Sequence, residues 1–218
     1  SNTALTSFAL GNATTGSYNI AAGLYSAYYT TTGVSNVSLG QNCFQTNTSG
    51  SNNVAIGKQA LFTSETAHGN VAIGQEALHQ TTTSYQTAVG TSALKANTSG
   101  AQNTAIGVEA LKANTTGDYN TALGYAALDA NVGGDSNTAI GRSALSANTS
   151  GNSNTAVGMN ALTANIDGPD NKAIGKGALL TSTTAAQNTA VGEASMEDTT
   201  TGSFNTAIGY HSMYNATT

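Results

Sequence analysis

The side chains able to do chemistry are few. The chain has three histidines (His68, His79 and His211), one cysteine (Cys43), eleven acidic and six basic residues. Nucleophilic catalysis needs a base within reach of a nucleophile. Ser and Thr occur everywhere, so a Ser-His-Asp grouping has no specificity here. Each histidine falls at a different place in the repeat described below, so they read as turn or surface residues. Glu76 and Glu109 share a repeat position, but no carboxylate pair recurs. A lone cysteine excludes an internal disulfide framework and a cysteine-based zinc site. The segment "NIDGPDN", Asn165 to Asn171, brings Asp167 and Asp170 around a Gly-Pro turn. Calcium needs six to eight oxygens, so the segment reads as a turn, with Asp167 and Asp170 a weak calcium candidate. No other metal site and no cofactor is expected.

The composition narrows the function classes. Only 8% of the 218 residues are charged and the net charge is −5. The six basic residues are scattered, whereas nucleic-acid binding needs a basic stripe. No apolar run approaches the roughly 18 residues of a membrane span. Asn, Thr, Ser, Ala and 25 glycines dominate.

That composition is organised by a strict repeat. A glycine following Ala and an aliphatic residue anchors each copy, at Gly23, Gly40, Gly57, Gly74, Gly90, Gly107, Gly124, Gly141, Gly158, Gly175, Gly192 and Gly209. Thr6 takes this place in the first copy. Every step is 17 residues except Gly74 to Gly90, which is 16. Thirteen copies fill residues 1–218 as one repeat domain, expected to be an excerpt of a longer chain. With the anchor as position 0, position −4 is Asn: Asn2, Asn19, Asn36, Asn53, Asn70, Asn103, Asn120, Asn137, Asn154, Asn171, Asn188 and Asn205, with Gln86 the exception. Position −2 is Ala except for Ser38; −1 is aliphatic except for Ala22, itself small. Position +3 is always small, and +4 is large and apolar except for Ala27. Position +10 is usually a second glycine, and the one-residue deletion in "HQTTTSYQ" falls there, in a turn.

A period of this length announces stacked coils. The tract "A-x-x-N-T-T-G" is a poor helix former. The fold expected is therefore all-β, a parallel β-solenoid of thirteen 17-residue coils. "N-T-A-I" and "x-A-L-x" are predicted as two short strands per coil, with glycines at the corners. Coils stacked about 4.8 Å apart would give a rod of about 60 Å. The aliphatics at −1 and +4 are predicted to fill the core. The Ala columns imply either closely approaching walls or a face packed on another chain. The Asn column is predicted to form an amide ladder, which Gln86 can maintain. "N-x-[ST]" triplets at Asn97, Asn114 and Asn148 read as turn residues rather than glycosylation acceptors.

The motifs "NTAIGxxAL…NTTG" resemble repeats of bacteriophage tail fibres and related appendages. The core "N-T-A-[IV]-G-x-x-A" is also similar to the head repeats of YadA-like trimeric autotransporter adhesins. The resemblance spans the whole chain. It implies a left-handed, homotrimeric β-roll on a virion tail or a cell surface. It departs from the adhesin heads in repeat length, theirs being nearer 14 residues, which puts the trimer packing in question.

The pattern breaks most in the second copy, "NIAAGLYSAYYTTTG". Both core positions shrink, to Ala22 and Ala27, while Tyr25, Tyr28 and Tyr29 crowd nearby. Two readings compete: a locally repacked coil, or an aromatic patch contacting a glycan or protein receptor. Further aromatics recur at −5, as Tyr18, Tyr85, Tyr119 and Phe204. An ice-binding Thr face is disfavoured by the aliphatics at −1 and by Lys172. Uniform coils leave little loop for a catalytic cleft, so no enzyme is expected. The sequence is read as a structural fibre segment of a phage tail or similar appendage supporting host attachment. The alternative is a bacterial adhesin or a self-assembling extracellular filament.

Overall fold

In the computed structural model, residues 1–214 are described. They form one parallel sheet of thirteen strands in strict sequence order, from β1 (Thr3–Ala4) and β2 (Ile20–Ala22) to β13 (Thr206–Ile208). Each strand pairs with the equivalent residues of the next coil, so that Thr104, Ala105 and Ile106 sit beside Thr121, Ala122 and Leu123. The chain is a β-solenoid, as the period predicts. Among the described residues no helix is long and apolar enough to cross a membrane.

The predicted second strand does not form. "x-A-L-x" is a run of turns in which the residues at +2 and +4 take positive φ, as at Glu109 (62°) and Leu111 (51°). Left-handed backbone costs an L-residue roughly 1–2 kcal/mol, so the stack must return it. These two positions turn their N–H groups in opposite directions along the rod. Glu109 N–H donates back to Thr91 O at 2.9 Å, and Leu111 N–H donates forward to Ala127 O at 3.0 Å. This wall thus acquires inter-coil hydrogen bonds without strand geometry.

The core also differs from expectation at one column. Ala at −2, Ala at +3 and Leu at +4 are fully buried, as at Ala105, Ala110 and Leu111. The aliphatics at −1 point outward; Ile106, Leu123 and Ile174 are each 40% or more exposed. Strand side chains alternate between faces, so −2 and −1 cannot both enter the core. The small residue enters, and the two walls approach closely. The Ala columns are therefore explained within one chain. In the second coil Ala27 is buried, and one coil on the same column carries the fully buried Phe44. The small columns admit hydroxyls where these can pair: Ser26 Oγ lies 2.8 Å from Ser38 Oγ and donates to Ser38 O at 2.8 Å.

The anchor glycines are obligatory for two reasons. Their φ lies near +130°, as at Gly124 (+137°). A Cβ on Gly124 would also meet Gly141 O at 2.6 Å, in the next coil.

The Asn column at −4 is a ladder, but its partners are mainly backbone. Asn120 Oδ1 accepts Asn137 N–H at 2.9 Å, and Asn120 Nδ2 donates to Gly134 O at 2.8 Å. Side-chain pairing is added in places, as Asn36 Nδ2 to Asn19 Oδ1 at 3.0 Å. Gln86 keeps the ladder through the shortened coil: its N–H donates to Asn70 Oδ1, its Oε1 accepts Asn103 N–H, and its Nε2 donates to Gly100 O.

A second ladder runs at +7, where the sequence suggests only turn residues. Asn97, Asn114, Asn131, Asn148 and Asn165 are fully buried and joined amide to amide. Asn131 Nδ2 donates to Asn114 Oδ1 at 2.7 Å and Asn148 Nδ2 to Asn131 Oδ1 at 2.9 Å. Burial removes Asn97, Asn114 and Asn148 as glycan acceptors in the folded chain. The glycine at +10 exists partly for this ladder: a Cβ on Gly117 would stand 2.6 Å from Asn114 Oδ1. Where +7 becomes serine, at Ser64 and Ser182, +10 becomes alanine, at Ala67 and Ala185. The ladder ends there, and Asn165 Oδ1, Ser182 Oγ and Thr199 Oγ1 have no hydrogen-bond partner among the described residues.

Restoring this motif gives a stability prediction. Ser182→Asn with Ala185→Gly extends the ladder and is expected to stabilise the chain by about 1–2 kcal/mol. Ser182→Asn alone sets its Oδ1 against the Ala185 methyl and is expected to destabilise. A double-mutant cycle by thermal denaturation checks this; additive effects would contradict it.

Candidate functional site

With −4, −2, +3, +4 and +7 committed to ladders and core, the freely varying side chains lie elsewhere. Positions +1, +2, +5 and +6 change from coil to coil and lie mainly at the surface. The aromatic patch predicted at Tyr25, Tyr28 and Tyr29 lies here. Tyr25 and Tyr28 have centroids 5.4 Å apart, edge to face, and Tyr28 and Tyr29 are 4.9 Å apart, also edge to face. Phe8, one coil earlier, joins them by stacking on Tyr25 at 5.2 Å with 22° between planes. Sequence reading missed Phe8, although it shares position +2 with Tyr25.

The patch is held outward. Phe8 is 57% exposed and Tyr29 46% exposed, while Tyr25 and Tyr28 are half-buried. None of the three tyrosines is fully buried in the core of this coil. Tyr28 lies over the backbone of Gly11, where a Cβ would meet its ring at 2.5 Å. Gly11 thus seats the ring and keeps the group together. Such a group offers ring faces and edges, which stack on apolar faces and attract cations.

The aromatics at −5 stand separately. Tyr18, Tyr85, Tyr119 and Phe204 are each 60% or more exposed. Gly69 seats the Tyr85 ring, as Gly11 seats that of Tyr28.

The histidines are not brought together. His68 Nδ1 accepts Ser51 N–H at 3.0 Å, a structural bond between coils. His79 stacks on Phe62 at 5.1 Å, and burial holds its pKa below the usual value. His211 stacks on Tyr214 at 4.6 Å. Glu76 and Glu109 instead pair with lysines, Glu76 with Lys95 at 2.6 Å and Glu109 with Lys112 at 2.7 Å. The Lys95 bond lowers the Glu76 pKa. Exposed pairs of this kind add little stability.

Asp167 is exposed in its turn, and Asp170 N–H donates to Asn152 O at 3.0 Å. Among the described residues no three His, Cys, Asp or Glu side chains cluster as metal ligands would.

No family model, curated protein or solved structure matches the chain.

Cys43 is fully buried at +3, where its Sγ donates to Ala55 O at 3.2 Å. Burial pushes its thiol up to about 11, from 9.0. The native protein is therefore expected to resist iodoacetamide at pH 8, with labelling appearing only on unfolding. Because the unfolded thiol ionises first, stability is expected to fall as pH rises from about 9 towards 11. Rapid labelling of the folded protein, followed by mass spectrometry, would contradict this placement.

Proposed function

We propose that the chain is a rigid structural segment of a surface appendage, of the phage tail-fibre kind, assembling laterally and presenting an attachment surface. The observation that carries this reading is the outer face of the sheet. Positions −3 and −1 of every strand face outward, with Thr or Val at most −3 positions and Ile, Val or Leu at most −1 positions. Lys172 is the one charged residue in these two columns. The result is a stripe about 60 Å long with a repeat of about 4.8 Å. Its length suits an interface of roughly 800 Å² per partner. A second copy carries the same repeat and the same stripe, so it matches this face along its whole length.

A closed homotrimer, as the family resemblance suggests, is the arrangement proposed. Closed symmetric assemblies bury such a stripe completely, whereas open ones propagate it. Repetition then presents the variable face three times around a stiff rod, and weak contacts add through effective concentration. The cluster of Phe8, Tyr25, Tyr28 and Tyr29 is the surface proposed to meet a host glycan or protein receptor. No residue is assigned chemistry.

Sedimentation of the purified chain tests the assembly. The wild type is expected to be a trimer. Ile73→Lys with Ile106→Lys and Ile140→Lys is expected to be a monomer of unchanged far-ultraviolet circular dichroism, since Lys172 already occupies the face. A monomeric wild type at tens of micromolar would overturn lateral assembly. Open polymers would favour the filament alternative. On a glycan array, binding is expected to fall at least tenfold when Tyr25, Tyr28 and Tyr29 are changed to Ala; undiminished binding would remove the cluster from that role.

A further inference from the structure

The variable face carries a second feature, far along the rod from the aromatic cluster. At position +2 the side chain dwindles to Gly177 and then Ala194 in adjacent coils, between Asn160 and His211. A cavity of about 250 Å³ opens there. Gly177 is unlike the anchor glycines, because a Cβ on it would meet nothing within 4 Å. Its φ of 65° is one that Gln59 (58°) and Glu109 (62°) adopt in the same column. Packing does not demand a glycine here and side chains are tolerated at this φ elsewhere in the column, so beyond easing the backbone its small size provides space.

We propose that this cavity binds a single saccharide ring carrying a free, protonated amine. The volume lies just below the usual range of small-molecule pockets, roughly 300–1,000 Å³, so it suits one ring. Leu180 and Ala194 supply apolar lining for the C–H face of a sugar. One end is an aromatic wall: the His211 ring stacks on Tyr214 at 4.6 Å and tilts against Tyr210 at 4.1 Å. Asn160, at the other end, offers an amide for ring hydroxyls.

Charge selects the amine. Two carboxylates and one lysine line the cavity. Lys176 donates to Glu193 at 3.0 Å, which leaves Glu197 as the excess charge. Among the described residues no ion pair or side-chain hydrogen bond engages the Glu197 carboxylate. The negative field is felt nearby, where Glu197 and Asp198 raise the Tyr214 pKa. An ammonium group between Glu197 and the aromatic wall would be held by both. An acidic sugar would be repelled, and an acetylated amine would leave Glu197 uncompensated.

Glucosamine, N-acetylglucosamine and glucose are titrated into the ¹⁵N-labelled chain and followed by amide NMR shifts. Glucosamine is expected to perturb residues around Gly177, Ala194 and His211, and to bind at least tenfold more tightly than the other two. Gly177→Gln fills the cavity with a side chain the column already holds at Gln59, and is expected to abolish the shifts while keeping a cooperative thermal transition, lowered only by the modest cost of left-handed backbone. Glu197→Gln is expected to remove the preference for glucosamine. Absent shifts, equal binding of the acetylated sugar, or undiminished binding by Gly177→Gln would each overturn the site. Changing Tyr25, Tyr28 and Tyr29 is expected to leave these shifts intact, so the site stands or falls apart from the rod and its aromatic cluster.

Discussion

The structure depends on the contact between successive anchor glycines. At each, a carbonyl of the next coil occupies the volume a side chain would fill. Gly209, which no further described coil covers, has only the Ser212 Cβ nearby, at 4.0 Å. The steric part of the glycine requirement is thus a property of stacking, while the φ near +130° belongs to each coil and persists at Gly209 (125°). The φ near +130° turns the chain out of the strand, and the close approach lets its N–H bond back to the preceding coil, as Gly107 N–H does to Val89 O at 2.7 Å. Once that spacing is set, every other column must repeat at the same interval. Ladders, core and outer stripe follow from it.

The columns divide the work cleanly. Ala at −2 and +3 brings the walls together, and Leu at +4 fills what remains. Buried amides at −4 and +7 satisfy backbone carbonyls that would otherwise be orphaned. What they leave over, chiefly +1, +2, +5 and +6, is free to differ from coil to coil. That freedom explains why the aromatic cluster, the ion pairs of Glu76 and Glu109 and the Gly177 cavity all lie in these columns.

Much of this was legible in the sequence. The period gave the stacked coils, the copy number and the parallel order of strands. Anchor glycines, the ladder at −4 and its maintenance by Gln86 followed from column identity. Three features did not. Alternation decides whether −2 or −1 faces in, and hydrophobicity alone favoured both, so Ile106 and its column were placed inside. A strand was assigned to "x-A-L-x" because periodicity cannot reveal left-handed backbone at Glu109 and Leu111. The ladder at +7 was hidden within ordinary turn chemistry. Its signal was nevertheless present, in the exchange of Asn-with-Gly for Ser-with-Ala between Asn165/Gly168 and Ser182/Ala185. The aromatic patch was legible as an irregularity, but Phe8 lay in a neighbouring copy and only stacking brings it to Tyr25.

Both amide ladders run the same way. In each, the later coil donates and the earlier coil accepts, as Asn137 N–H does to Asn120 Oδ1 and Asn148 Nδ2 to Asn131 Oδ1. At each junction of the +7 ladder, a cut therefore exposes a side-chain amide acceptor on the earlier coil and a side-chain amide donor on the later one. The rod has a direction written into its side chains as well as its backbone. Within that ladder two such surfaces can join only head to tail. A molecule assembled from near-identical coils is thus a vector, whose two ends are chemically distinguishable.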